Sequence, residues 1–190
     1  QLSNLNTYYN NFEAINPIEH IKHRLKSPES IAGKLKKKDL PVTADAADEH
    51  LSDIAGIRII CSYAKNIYEI VEIIKSQEAF TVVSEKDYLR NVKKTGYRSY
   101  HMIVEVNLGH LFSEQTCRVE IQLRTSAMDF WATLEHKVRY KYDGQIPEQL
   151  SGELQNCAEQ IHALDERMYL IHKVLDMINQ SEVDIEQIGY

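Results

Sequence analysis

Two short stretches carry groups suited to chemistry on a charged, ring-bearing substrate. In Arg118-Val119-Glu120-Ile121-Gln122-Leu123-Arg124-Thr125 apolar and polar residues alternate strictly. On a strand, Val119, Ile121 and Leu123 point one way, and Arg118, Glu120, Gln122 and Arg124 the other. One face is then apolar and the other holds carboxylate, amide and guanidinium groups. A solvated strand face has the same pattern, so alternation alone leaves both readings open. The second stretch, Gly96-Tyr97-Arg98-Ser99-Tyr100-His101, brings a ring, a cation and an imidazole to the start of another strand. Rings, guanidiniums and an acid gathered together are the parts of a nucleotide site.

Asp53 and Glu120 are the carboxylates to follow, Asp53 with Arg58 nearby and Glu120 between Arg118 and Arg124. Two acids facing one cleft can hold Mg²⁺, the ion keeping waters and substrate phosphates as its other ligands. Each acid alone reads equally as an ion pair, and Asp53 as a strand cap. Between Lys22 and Lys38 the chain carries Lys22, Arg24, Lys26, Lys34, Lys36, Lys37 and Lys38 against Glu29 alone. Such a cluster suits a compact polyanion, although a solvated basic helix face fits it too. His20 and His23 read as surface histidines rather than a metal pair. The chain has no G-x-x-x-x-G-K-[ST], G-x-G-x-x-G, H-E-x-x-H or G-x-S-x-G pattern.

The elements that must position these groups alternate. Residues 17–26 read as helix. Ser27-Pro28-Glu29 then starts a second helix, with Ser27 as N-cap and Pro28 at the first position, running to about Lys38 and stopped by Pro41. Ser30, Lys34 and Lys38 recur every four residues and share one of its faces. Strands are expected at 54–63, 80–83, 100–106 and 117–125. Helices are expected at 66–76 and 126–142, with Asp143-Gly144 closing the latter and Pro147 opening a last helix. The fold class is α/β or α+β, a mixed sheet flanked by helices.

With 190 residues, 43% of them hydrophobic, the chain suits one compact domain with a helical appendage. The net charge of −6 argues against a general nucleic-acid binder. Cys61, Cys117 and Cys157 lack a metal-ligand spacing and read as reduced thiols of a cytoplasmic protein. No apolar run is long enough for a membrane span. The sequence begins at Gln1, so the natural start is expected upstream. In the last helix Leu150, Leu154, Cys157, Ile161, Leu164, Met168, Ile171, Leu175 and Ile178 alternate at spacings of four and three, a heptad seam. It either packs back on the parent domain or joins copies of the chain.

Four motifs in order give a resemblance: His50-Leu-Ser-Asp53-Ile-Ala-Gly-Ile-Arg58, Lys94-Thr-Gly-Tyr-Arg-Ser-Tyr-His101, Val119-Glu-Ile-Gln-Leu-Arg-Thr125 and Ala127-Met-Asp-Phe-Trp-Ala-Thr-Leu-Glu-His136. Together they resemble the synthetase domain of RelA/SpoT proteins. The length, with Asn16-Pro-Ile-Glu-His20, is most similar to the stand-alone small alarmone synthetases of RelP type. The resemblance spans about residues 16–170. It implies a nucleotidyltransferase-like synthetase fold over 1–145, a C-terminal helix over 146–180 for packing or oligomerisation, and a tail over 181–190. It also implies transfer of the β,γ-pyrophosphate of ATP to the ribose 3′-hydroxyl of GDP or GTP, with release of AMP.

By the same resemblance, Arg24 and Arg58 sandwich the adenine and Lys26, Ser30 and Lys34 hold the ATP phosphates. Asp53 and Glu120 bind Mg²⁺, and Glu120 is the candidate general base. Tyr97 stacks on the acceptor guanine, Lys93 and His101 lie near the acceptor's phosphates, and Gln122 sits beside its nucleoside. Asp129 stands where relatives can carry Asn and would accept from the guanine edge; Lys86 stands where some have Arg and would grip phosphate. Arg98, Arg124, Glu135 and His136 are supporting candidates. A homotetramer in the cytoplasm is expected, without hydrolase or regulatory domains and without a stable nucleic-acid or membrane partner.

Two other readings stay open. One is a synthetase-like toxin acting on adenine nucleotides or on tRNA, which would lack a guanine-stacking Tyr97 with its hydrogen-bonding partner or use a basic patch outside the cleft. The other is a non-catalytic nucleotide- or RNA-binding module, which would have lost Asp53 or Glu120.

Overall fold

A computed structural model describes residues 16–107, 116–141 and 146–188, with side chains given through 139 and over 146–180. Ten elements follow in chain order: β1 (Ile18–Leu25), α1 (Pro28–Lys37), α2 (Ala44–His50), β2 (Ala55–Cys61), α3 (Ala64–Ser76), β3 (Phe80–Asp87), β4 (Tyr100–Asn107), β5 (Thr116–Thr125), α4 (Ser126–Lys141) and α5 (Glu148–Ile188). The described residues fall into two compact units. One comprises the chain up to Lys93 with Tyr97–Ser126; the other comprises Lys94–Gly96 with the chain from Ala127 onward.

In the first unit the five strands form one sheet in the order β1-β2-β5-β4-β3. β2 and β5 are parallel; the other three pairings are antiparallel. The sheet is therefore mixed, as expected. One of its faces is apolar: Ile59, Cys61, Met102, Val104, Ile121 and Leu123 are buried. The amphipathic α3 covers it with Ile67, Ile70, Val71 and Ile74. Burial of each such side chain contributes roughly 1.5–3 kcal/mol. A smaller cluster of Leu35, Ala46, Ala47 and Leu51, with Ile31, Leu40 and Ile54 against it, joins α1 to α2.

The stretch read as helix over 17–26 is instead the strand Ile18–Leu25, a correction to the sequence reading. β1 is an edge strand with a bulge between Ile18 and His20. Ile18 pairs with Cys61 and Ile21 with Ile59, so two residues three apart share one face. That spacing imitates a helix. The short α2 was also not expected; Thr43 caps it by accepting from the Ala46 N–H.

In the second unit α4 and α5 are joined by a hydrogen bond from Trp131 Nε1 to the Leu154 carbonyl at 3.0 Å. α4 ends at Lys141, so the proposed Asp143-Gly144 stop lies outside the described residues. α5 continues to Ile188, past the expected end at 180. Its heptad seam is exposed at Leu164, Met168, Ile171, Leu175 and Ile178. Among the described residues no helix is long and apolar enough to cross a membrane.

Candidate active site

The polar face of the sheet is ordered in ranks. Strand partners directly opposite project to the same side. One rank runs Lys22, Arg58, Gln122, His101, Lys86 across all five strands. The next runs Arg24, Gly56, Glu120, Ile103, Ser84. Lys22, Arg24, Gly56, Arg58, Glu120 and Gln122 thus line one concave pocket of about 270 Å³. Gly56 contributes by having no side chain. A Cβ there would meet Arg24 Cγ at 3.6 Å and Nε at 3.7 Å, so the Arg24 side chain lies across the glycine. An isolated glycine within a strand is the sequence signal for such a close approach.

Asp53 sits just ahead of β2, where the Lys26 N–H donates to the Ile54 carbonyl at 2.8 Å and closes the ladder beside it. Its Oδ2 accepts from Lys26 Nζ at 2.5 Å and from Lys34 Nζ at 2.6 Å. Lys34 reaches it because Leu35, the next residue of α1, is buried in the small apolar cluster. Burial pushes the Asp53 carboxyl up, but the two ammonium groups outweigh burial and hold it below its ordinary value. Its Oδ1 is buried without a hydrogen-bond partner. Beside the lysines, Ser27 caps α1 by accepting from the Ser30 N–H, and Ser30 is exposed in the first turn. A helix N-terminus with two lysines is a ready anion site.

Glu120 accepts from Gln122 Nε2 at 2.9 Å, and His101 Nδ1 lies 3.6 Å from its other oxygen. The His101 ring holds the Glu120 carboxyl below its ordinary value; burial opposes this, Gln122 adds to it, and the charge of Asp53 pulls upward. Asp53 is therefore near enough to be felt by Glu120. Strand pairing sets Gly56, three residues after Asp53, directly opposite Glu120.

Rings and cations occupy the next part of the same face. The Tyr97 hydroxyl accepts from Arg124 Nη2 at 2.6 Å and lies 2.8 Å from His101 Nε2. Lys93 Nζ stands 4.4 Å from the Tyr88 ring centre and 4.7 Å from that of Tyr97. Tyr88 meets both Tyr97 and His101 edge-on. Sequence reasoning missed Tyr88, whose place depends on a loop closed by its N–H on the Ser99 carbonyl. Arg98 Nη1 donates to the Leu89 carbonyl and so also braces this loop.

Asp129, Glu135 and His136 are on α4, in the second unit. Asp129 is half-buried in the first turn, Glu135 pairs with Arg139, and His136 is exposed. Among the described residues no group of three or more His, Cys, Asp or Glu side chains gathers to hold a metal. Two carboxylates with an orphaned oxygen fit a hard cation that draws its remaining ligands from water and phosphate.

Residues 23–145 match a family model described as the region found in RelA / SpoT proteins. The chain is 46% identical over 168 residues to GTP pyrophosphokinase YwaC of Bacillus subtilis, covering 88% of this chain and 80% of that one. It is 40% identical over 168 residues to GTP pyrophosphokinase YjbM of the same organism, covering 88% and 78%. Its structure is similar to that of small alarmone synthetase 1 from B. subtilis bound to its product pppGpp, with a TM-score of 0.84, 38% identity and coverage of 92% and 89%. Small alarmone synthetase 2 from B. subtilis gives 0.81, 45%, 90% and 88%. With this family match over most of its length and these identities, the chain belongs to the RelA/SpoT family, on its small alarmone synthetase branch.

Proposed function

We propose that this chain is a GTP pyrophosphokinase that moves the β,γ-pyrophosphate of ATP onto the ribose 3′-hydroxyl of GDP or GTP. The acceptor oxygen bonds to the β-phosphorus, the bond between that phosphorus and the α,β-bridging oxygen breaks, and AMP leaves. The observation that carries the reading is Asp53 held by Lys26 and Lys34 near the N-terminus of α1, on the strand pairing that sets Gly56 opposite Glu120. It supports a donor half in which Lys26, Lys34 and Ser30 hold the ATP phosphates and Arg24 and Arg58 flank the adenine. Guanidinium planes stack on a base as an ammonium group cannot. The acceptor half is Tyr97 against the guanine, Lys86, Lys93 and His101 toward its phosphates, and Gln122 beside the nucleoside.

Asp53 and Glu120 would hold Mg²⁺, which neutralises charge developing on the transferred group. Glu120 takes the proton from the 3′-hydroxyl. A carboxylate is a weak base for an alcohol, so its value lies in position, with a contribution of roughly 10²–10⁴ in rate. In the free protein Asp53 occupies the two lysines that the phosphates would claim, which keeps both ammonium groups aimed at the site. The exposed seam of α5 supports self-association, and a homotetramer in the cytoplasm is the assembly proposed.

Purified protein, Mg²⁺ and γ-labelled ATP are to be incubated separately with GDP, GTP, ADP and tRNA. Label transferred to GDP or GTP is expected. Label only on ADP or tRNA would favour a toxin-like synthetase, and no transfer at all would leave only a binding module.

A further inference from the structure

Five side chains close a ring, and Arg124 is the member to which the reaction scheme above gives no role. Arg124 is buried, at 5% exposure. A single nitrogen, Nη2, donates to the Tyr97 hydroxyl at 2.6 Å and to Gln122 Oε1 at 3.1 Å. Gln122 Nε2 donates to Glu120 Oε2 at 2.9 Å. On the other side the Tyr97 hydroxyl meets His101 Nε2, and His101 Nδ1 faces Glu120 Oε1 at 3.6 Å.

The directions of the Arg124 contacts follow from its chemistry. A guanidinium donates and never accepts. The Tyr97 oxygen must therefore accept from it, and the same hydroxyl lies 2.8 Å from His101 Nε2. The Gln122 amide must turn its oxygen to Arg124 and its NH₂ to the carboxylate. The flipped amide would set NH₂ against guanidinium and carbonyl against carboxylate. The Gln122 arm thus presents a donor to one oxygen of Glu120, and the His101 ring stands 3.6 Å from the other.

We propose that Arg124 is a positioning residue that couples the acceptor ring Tyr97 to the carboxylate of Glu120 through Gln122, while the Tyr97 hydroxyl reaches His101 directly. The inference rests on the pyrophosphokinase reading, in which Tyr97 carries the guanine and Glu120 the proton. It assigns the Tyr97 hydroxyl a task separate from stacking. A guanine pressed on Tyr97 then steadies the base that its own ribose must meet.

The test is a kinetic cycle with GDP as acceptor. Tyr97→Phe keeps the ring and removes the hydroxyl, so KM for GDP should stay within about threefold while kcat falls roughly tenfold or more. Arg124→Gln should lower kcat at least as much, and the double variant should be no slower than Arg124→Gln alone. A Tyr97 that only stacks predicts full turnover for Tyr97→Phe, and that result would overturn the inference, as would losses that multiply. If Arg124→Gln shows no cooperative thermal transition, Tyr97→Phe and Gln122→Met form the cycle with Arg124 in place, and again a multiplied loss refutes the coupling. A wild type that transfers no label to GDP or GTP removes the parent reading, whereas an active wild type with a normal Tyr97→Phe removes only this one.

Discussion

Asp53→Asn keeps the shape of a side chain and removes its charge. In the wild type Oδ2 receives both Lys26 and Lys34, so their nitrogens stand no more than about 5 Å apart, where like charges repel by about 3 kcal/mol at an effective dielectric of about 20. The Lys34 side chain is 39% exposed and that of Lys26 17%. Solvent screens part of the repulsion, so the folded protein should lose about 1–2 kcal/mol. The same change releases both ammonium groups for a polyanion. In metal-free buffer the wild-type carboxylate competes with ATP phosphates for them; asparagine does not. ATP should therefore bind the variant in EDTA at least as tightly as the wild type, up to about tenfold tighter. With Mg²⁺ present, turnover should still fall at least about a hundredfold, because a proposed metal ligand is gone. Urea unfolding in EDTA, calorimetric titration with ATP and the labelled-ATP assay measure the three quantities. Near-normal turnover would refute the metal assignment, and weakened ATP binding in EDTA would refute the competition.

Four further outcomes are expected. Glu120→Gln should reduce turnover roughly 10²–10⁴-fold while keeping its thermal transition, and near-normal activity would remove Glu120 as base. Asp53 and Glu120 both ionise below their ordinary values of 3.8 and 4.5 when folded, so the unfolded chain binds more protons in that range. Their contribution to stability is present above roughly pH 5 and is lost as pH falls through the folded values; the urea midpoint should fall less steeply in Asp53→Asn than in wild type, and identical slopes would contradict this. Gly96 has φ +85° and an added Cβ would lie 2.4 Å from Ala158 Cβ, so Gly96→Ala should cost about 2 kcal/mol or more, with partial relief when Ala158→Gly is added. At the end of α1, Asp39 has φ 55° beneath a Leu40 N–H to Leu35 carbonyl bond, a Schellman closure with an acid at the negative end of the helix. Asp39→Gly should therefore raise stability by about 0.5–1 kcal/mol in urea unfolding.

The parts of this fold legible in the sequence are those whose local pattern and tertiary role coincide. β5 alternates because one face is core and the other lines a cleft, so Glu120, Gln122 and Arg124 could be placed before any pairing was known. α1 announces itself through Ser27, Pro28 and its basic face. β1 misleads because a bulge gives an edge strand the spacing of a helix, and its Leu25, 79% exposed, is no core residue at all. α2 is seven residues long and buries only two alanines, too little for an apolar stripe. Tyr88 lies outside any strand, and its neighbours Lys93, Tyr97 and His101 reach it only once the loop has closed.

What the sequence could not state is how Asp53 and Glu120 are set relative to each other, and one pairing answers it. β2 and β5 run parallel with Gly56 opposite Glu120 and Arg58 opposite Gln122, which lays the start of β2, two residues after Asp53, beside Val119 and Glu120 of β5. A slip of one residue would turn Ile121 and Leu123 out of the core and Glu120 into it, because side chains alternate with period two. Each of those apolar residues is fully buried and contributes roughly 1.5–3 kcal/mol. The catalytic face has no comparable energy of its own; its carboxylates and cations are partly hydrated and its ion pairs partly screened. The alignment of the acids is thus enforced from the opposite side of the sheet. Substitutions under α3, remote from any nucleotide, should disturb turnover before they abolish folding.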